Sequence, residues 1–235
     1  MIILRSIIFN LGMWFFTIPF TILSLFTFPL NAQQRYRFIS NWAKFMLKWL
    51  KICCHIDFEV IGTQNIPKTP CVVFCNHQSA WETLALQQIL PPQVWVLKRE
   101  LLWLPFFGWG LALTSPIAID RAAGKKALIQ MYKQGTDRLK KGFFIIIFPE
   151  GTRVKVNDSK KYHIGGAWLA KNLQSQILPI SHNAGFFWGR NSFLKYPGKI
   201  TIKIGKPLNI ENMDIDEINQ TIKKWIDENV KKISQ

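Results

Sequence analysis

Acidic residues are absent from the first 56 positions of this chain, although Arg5, Arg35, Arg37, Lys44, Lys48 and Lys51 all fall within them. Metal-ligand spacing is missing too. There is no C-x-x-C pair, and the four histidines are scattered at 55, 77, 163 and 182, which excludes a zinc site of the usual pattern. The four cysteines spell out no disulfide framework: Cys53 and Cys54 are adjacent and poor partners, and Cys71 and Cys75 fall within one expected buried strand. No G-x-S-x-G elbow occurs, so an attacking hydroxyl is expected from a substrate instead of a serine of that type. No internal repeat, low-complexity run or long linker interrupts the 235 residues, a length that suits one domain with a packed core.

What is present begins with charge and apolarity together: a formal charge of +16, 49% apolar and 14% aromatic residues. That combination suits an anionic membrane surface as well as nucleic acid, so the placement of the charge decides. From Ser6 to Leu30 run 25 uncharged residues, more than the ~20 needed to span a bilayer. A membrane-embedded helix is expected there, with Pro19 and Pro29 leaving open a kinked span or a helical hairpin dipping into one leaflet. A cleaved signal peptide is the alternative, but the stretch is long for one and Leu30-Asn31-Ala32 is a poor cleavage site. Next, Phe38, Trp42, Phe45, Met46, Trp49 and Leu50 recur at helical spacing with Arg37, Lys44, Lys48 and Lys51 opposite. A surface helix packed on the core would show this pattern; after an apolar anchor and with no acids, an interfacial membrane helix is the expectation. The basic side places the following chain in the cytoplasm, at the inner membrane in a bacterium.

From residue 57 onward, short β-branched or aromatic runs alternate with helical stretches. Seven strands are expected from DFEVIG, CVVFCN, VWVLK, SPIAID, FFIIIFP, ILPIS and KITIKIG, and helices from WETLALQQIL, GKKALIQMYKQGTDRLKKG, GGAWLAKNLQSQ and the segment after about Asp214. Near-continuous apolar runs such as Phe143 to Phe148 mark strands covered on both faces. The fold class is therefore α/β: a mixed, largely parallel sheet flanked by helices. Residues 1–56 read as membrane-embedded and interfacial helices, and 57–235 as the α/β domain.

Ligands of open α/β sheets sit beyond the carboxyl ends of strands, and four such places carry polar residues. Asn76-His77 is followed by Glu82, five positions on, so the two side chains can meet only if His77 precedes the helix. Ser79-Ala-Trp-Glu82 also reads as a capping box, in which Glu82 serves the backbone alone. The chemical alternative is a neutral histidine held in one tautomer by a carboxylate, able to take a proton from an alcohol. At 148–153, FPEGTR supplies Gly151 for a tight turn, the Thr152 hydroxyl and the planar fork of Arg153 for a phosphate; it also reads as an ordinary polar turn. Asp120-Arg121 and Lys98-Arg99 end two further strands and are unspecific alone.

Taken in order, NHQSAWE, IAIDR, FPEGTR and ILPISHNAG resemble the four motifs of the glycerolipid acyltransferases, over about residues 60 to 205. The resemblance implies that His77 is the catalytic base and Glu82 its carboxylate partner, although most members carry Asp there. It implies acceptor binding by Glu150, Gly151, Thr152, Arg153 and Arg121, with Lys98 in the phosphate pocket, and it links Pro179 to the acyl donor or to site structure. His182 reads as a positioned polar residue in a loop, and Arg190, Lys195 and Lys199 as a basic surface near head groups or an acidic donor protein.

The activity so implied is transfer of an acyl group from acyl-CoA or acyl carrier protein to the sn-2 hydroxyl of lysophosphatidic acid, giving phosphatidic acid at a membrane, with no metal and no cofactor. Rival acceptors are lyso-ornithine lipid, another lysophospholipid or glycerol-3-phosphate. A non-catalytic lipid- or nucleic-acid-binding protein rests on the charge alone, and no nucleic-acid motif supports it, so nucleic acid is not an expected partner. A degenerate scaffold is opposed by the intact His77, Glu82 and Arg153.

Overall fold

Two long helices open the chain. α1 (Ile2–Leu25) continues through Pro19, and α2 (Ala32–Cys54) packs back along it after a short turn. The coordinates are a computed structural model that describes residues 1–234. α2 begins at a capping box, in which Asn31 Oδ1 accepts the Gln34 N–H at 3.0 Å and Gln34 Oε1 accepts the Asn31 N–H at 3.3 Å.

α1 occupies much of the apolar stripe of α2. Phe16 packs edge-on to Phe45 and Trp49, Phe20 stacks on Phe38, and the Trp49 indole N–H donates to the Phe9 carbonyl. Met46 and Leu50 are fully buried in the shared core. The stripe expected to lie on a membrane thus lies largely against protein, because a neighbouring apolar helix satisfies it as well as lipid does. Outward face α1's own residues, Leu4, Leu11, Trp14 and Phe15, and Arg37, Lys44, Lys48 and Lys51 of α2, while Arg35 turns inward to the Leu113 carbonyl. α1 is long and apolar enough to cross a membrane, and only 17% of its most apolar window is buried.

The helices approach closely at Gly12, where an added Cβ would lie 2.3 Å from Trp49 Nε1. Gly12→Val is therefore expected to overpack the pair at a cost of roughly 1–3 kcal/mol. That corresponds to a fall in Tm of several degrees for a chain of this length, which thermal melts in detergent check.

All seven expected strands form. They are β1 (Ile56–Ile61), β2 (Val72–Cys75), β3 (Gln93–Lys98), β4 (Ile117–Ile119), β5 (Phe144–Ile147), β6 (Ile177–His182) and β7 (Gly198–Ile204), in the order β1-β7-β6-β2-β5-β3-β4. Every neighbouring pair is parallel except β6 with β7. Register puts Phe74, Ile147 and Pro179 on one face, where α5 (Lys125–Lys140), α6 (Ile164–Asn172) and α7 (Ile215–Ile233) pack. The opposite face carries α3 (Trp81–Ile89) and α2, with α1 and α4 (Phe107–Leu113) beyond them. Every residue of β2 and β5 is buried, as strands covered on both sides require. The parallel strands β2, β3, β4, β5 and β6 all point their carboxyl ends at one edge, which gathers the four sequence motifs there.

Candidate active site

α3 starts at Trp81, so His77 lies in the turn before the helix and its ring folds back onto Glu82. His77 Nδ1 is 2.7 Å from Glu82 Oε1, and the same oxygen accepts the backbone N–H groups of Gln78 (3.1 Å) and Ser79 (3.0 Å). The capping role and the orienting role are compatible, since one carboxylate oxygen serves both. Glu82 is fully buried. Burial alone would raise its carboxyl, but His182, His77 and the backbone N–H of Ser79 outweigh that and hold it below the ordinary range. An ionised Glu82 fixes the His77 proton on Nδ1 and leaves the Nε2 lone pair free as a base. The ring is further clamped by stacking on Phe148, with centroids 4.0 Å apart and planes 13° from parallel.

The FPEGTR turn is tied to the same spot. Val154 N–H donates to the His77 carbonyl at 2.7 Å, and Glu150 Oε1 accepts the His77 N–H at 3.3 Å. Gly151 adopts φ +68°, a conformation open to glycine at little cost. Glu150 is buried behind the turn, and its carboxyl braces the backbone of His77. Burial pushes that carboxyl from 4.5 up to about 7. Between those values the folded protein keeps a proton that the unfolded chain has lost, so stability falls as pH rises through the window. Glu150→Gln keeps the acceptor and removes the titration. The variant is expected to melt with the wild type below pH 4.5 and to be more stable above pH 7 by about 3 kcal/mol at most, measured by denaturation across pH.

A cavity of about 940 Å³ opens onto His77. His77, Lys98, Gly151, Thr152 and Arg153 line it, while Glu82 and Glu150 stand behind its wall. Arg121 opens a short 3-10 turn after β4; its side chain lies outside the described part of the structure. Asp120 takes part in the strand-end architecture, accepting the Ala122 N–H and lying 3.7 Å from Arg99. The far walls are apolar, built by Phe20 of α1, Trp42 of α2, Leu84 of α3, Trp95 of β3 and Leu111 of α4. Arg153 Nε is buried in the rim with no acceptor among the described residues. Arg190 also reaches the rim, whereas Lys195 is buried against α1, donating to Asn10 Oδ1 and the Phe193 carbonyl. His182 is the last residue of β6 and fully buried, a strand position in place of the expected loop.

A histidine paired with a buried carboxylate and facing a largely apolar cavity suits acyl transfer to a substrate hydroxyl. The chain belongs to the acyltransferase family and is an enzyme of it: a family model described as Acyltransferase matches residues 57–183. A 1-acyl-sn-glycerol-3-phosphate acyltransferase of Pseudomonas aeruginosa is 44% identical over 236 positions, covering 98% of this chain and 92% of that protein. One of Saccharomyces cerevisiae is 29% identical over 186 positions, covering 77% of this chain and 61% of that protein. In fold, the chain superposes on the crystal structure of the 1-acyl-sn-glycerophosphate (LPA) acyltransferase PlsC from Thermotoga maritima with a TM-score of 0.82 and 20% identity, over 99% of this chain and 96% of that one.

Proposed function

We propose that the enzyme acylates the sn-2 hydroxyl of lysophosphatidic acid from a thioester donor, acyl-CoA or acyl carrier protein, yielding phosphatidic acid. The observation that carries this reading is the buried, unpartnered Nε–H of Arg153 in the rim of the cavity that holds His77. A guanidinium without an acceptor, beside a base and above an apolar slot, matches a ligand with a phosphate, a hydroxyl and an acyl chain. The names of the relatives support the same acceptor.

In this reading Arg153 holds the phosphate with Lys98, and the turn residues Gly151 and Thr152 lie against the head group. His77 Nε2 takes the proton of the sn-2 hydroxyl as its oxygen attacks the thioester carbonyl. Collapse of the tetrahedral adduct breaks the C–S bond, and the departing thiolate takes that proton back from His77 as free thiol. Glu82 stabilises the imidazolium in between, and Glu150 positions the turn. Holding acceptor and donor together supplies the proximity term that lets one base suffice.

Residues 1–56 serve as the membrane-embedded part and 57–235 as the acyltransferase domain. The exposed apolar face of α1 supports this, joined by Trp103, Leu104, Phe107 and Trp109 of the segment containing α4. The basic outer side of α2 supports a cytoplasmic site, where thioester donors are found. The test is thiol release by the full chain in detergent, with each donor, in the presence of lysophosphatidic acid, another lysophospholipid or lyso-ornithine lipid. Turnover dependent on lysophosphatidic acid is expected; turnover only with a different lyso-lipid would reassign the acceptor.

A further inference from the structure

His182 has no part in the steps above, yet its surroundings are specific. Nδ1 accepts the Ala184 N–H at 3.2 Å, which puts the single ring proton on Nε2, 2.8 Å from the Asn76 carbonyl. Asn76 Oδ1 accepts the His182 N–H at 3.0 Å, and Asn76 Nδ2 donates to the His182 carbonyl at 2.9 Å. Three hydrogen bonds therefore lock His182 to the residue that precedes His77. The Nε2–H edge also lies 3.8 Å from Glu82 Oε2. That oxygen is buried and has no hydrogen-bond partner among the described residues, in contrast to Oε1 with its three donors.

From this geometry we infer that His182 is a positioning residue for acyl transfer: bound to Asn76 by three hydrogen bonds, it sets its polar Nε2–H edge beside the free oxygen of Glu82 and so favours the orientation of His77. A second base is a poorer account, since Nδ1 is occupied, the ring is fully buried and His182 does not line the cavity. Simple packing is also a poorer account, because an apolar side chain fills such a space without placing a polar edge beside a buried carboxylate. Inside the protein, where screening is weak, an N–H dipole 3.8 Å from a carboxylate oxygen favours the ionised form and one rotamer. Burial holds the His182 imidazole below its ordinary range, so the ring stays neutral and does not compete with His77 for the proton. The other titratable groups at this spot are Cys75, whose thiol burial pushes well up, and Glu150 behind the turn.

The inference rests on the reading of His77 as base, and the experiment separates the two. Steady-state kcat and KM for acceptor and donor, with thermal melts, are measured for His182→Gln and His182→Phe, each in the wild-type and Glu82→Asp backgrounds, beside His77→Ala. His182→Phe is expected to lower kcat by ~10- to 100-fold, part of the ~10²–10⁴ that a general base contributes, with both KM values nearly unchanged. His182→Gln, whose amide N–H can take the place of Nε2–H, recovers most of the loss. With Glu82→Asp the shorter arm withdraws the carboxylate from β6, so the His182→Phe loss shrinks to a few-fold, a coupling that distant structural effects do not produce. Unchanged kcat in His182→Phe, equal losses for Phe and Gln, or the same fold-loss in both backgrounds would each overturn the inference. Should His182→Phe not fold, His182→Asn takes its place, because the shorter amide does not reach Glu82. Activity surviving His77→Ala would sink the underlying reading of the site; activity lost there but intact in His182→Phe would sink only this one.

Discussion

His77→Ala is expected to lower kcat for acyl transfer by ~10²–10⁴-fold or more, with the fold intact. Of His77, Glu82 and Glu150, His77 alone lines the cavity, since the two carboxylic acids lie behind its wall. The contacts that fix the loop use the backbone of His77, through Val154 and Glu150, and so survive truncation of the ring. Glu82→Gln is a graded control. A glutamine oxygen can still accept the three donors that converge on Oε1, which keeps the tautomer, while the charge that stabilises the imidazolium is lost. Its loss is therefore expected to be the smaller. Acceptor-dependent thiol release with matched melting curves measures both, and turnover at the wild-type rate in His77→Ala would remove the base from the scheme.

The sheet and the motif edge were legible in the sequence because each strand is a short apolar run ending in residues that nothing in a core would retain. β5 reads as Phe-Ile-Ile-Ile because helices cover both its faces. α4 was not legible: Phe107–Leu113 contains Gly108 and Gly110 and is held by packing against α1 and not by its own propensity. The stripe of α2 could not be resolved either, because lipid and a neighbouring helix make the same demand on a side chain. The cavity shares this ambiguity, its apolar walls coming from five elements whose residues look like core.

At the site, sequence pointed to His77 and Glu82 and left the role of the carboxylate open. Only the position of the first helical turn shows that one oxygen can cap and orient together. Glu150 was grouped with the acceptor residues by its motif, whereas its acid faces the His77 backbone. A carboxyl buried behind the turn and turned to that backbone suits a brace better than a phosphate contact. Sequence read His182 as a positioned polar residue but put it in a loop and gave it no partner, because Asn76 and Glu82 are distant from it in the chain.

Arg153→Ala is expected to reduce kcat/KM for the phosphate-bearing acceptor by roughly 30-fold or more, leaving the KM of the thioester donor little changed. Truncating one side of a buried, charge-assisted contact costs about 2–5 kcal/mol, and each ~1.4 kcal/mol is tenfold. In the proposed reading, the Nε–H that lacks an acceptor among the described residues marks where that contact forms. Lys98 and Arg190 also reach the cavity but are exposed, so solvent screens them and neither replaces the half-buried Arg153 with its buried Nε. Arg153→Lys restores the charge without the planar pair of donors and is expected to recover only part of the loss. The measurement is a pair of saturation curves, acceptor varied at fixed donor and donor varied at fixed acceptor. An equal rise in both KM values would mean that Arg153 shapes the turn as a whole. A rise confined to the donor would move the phosphate it reads from the lipid head group to the donor.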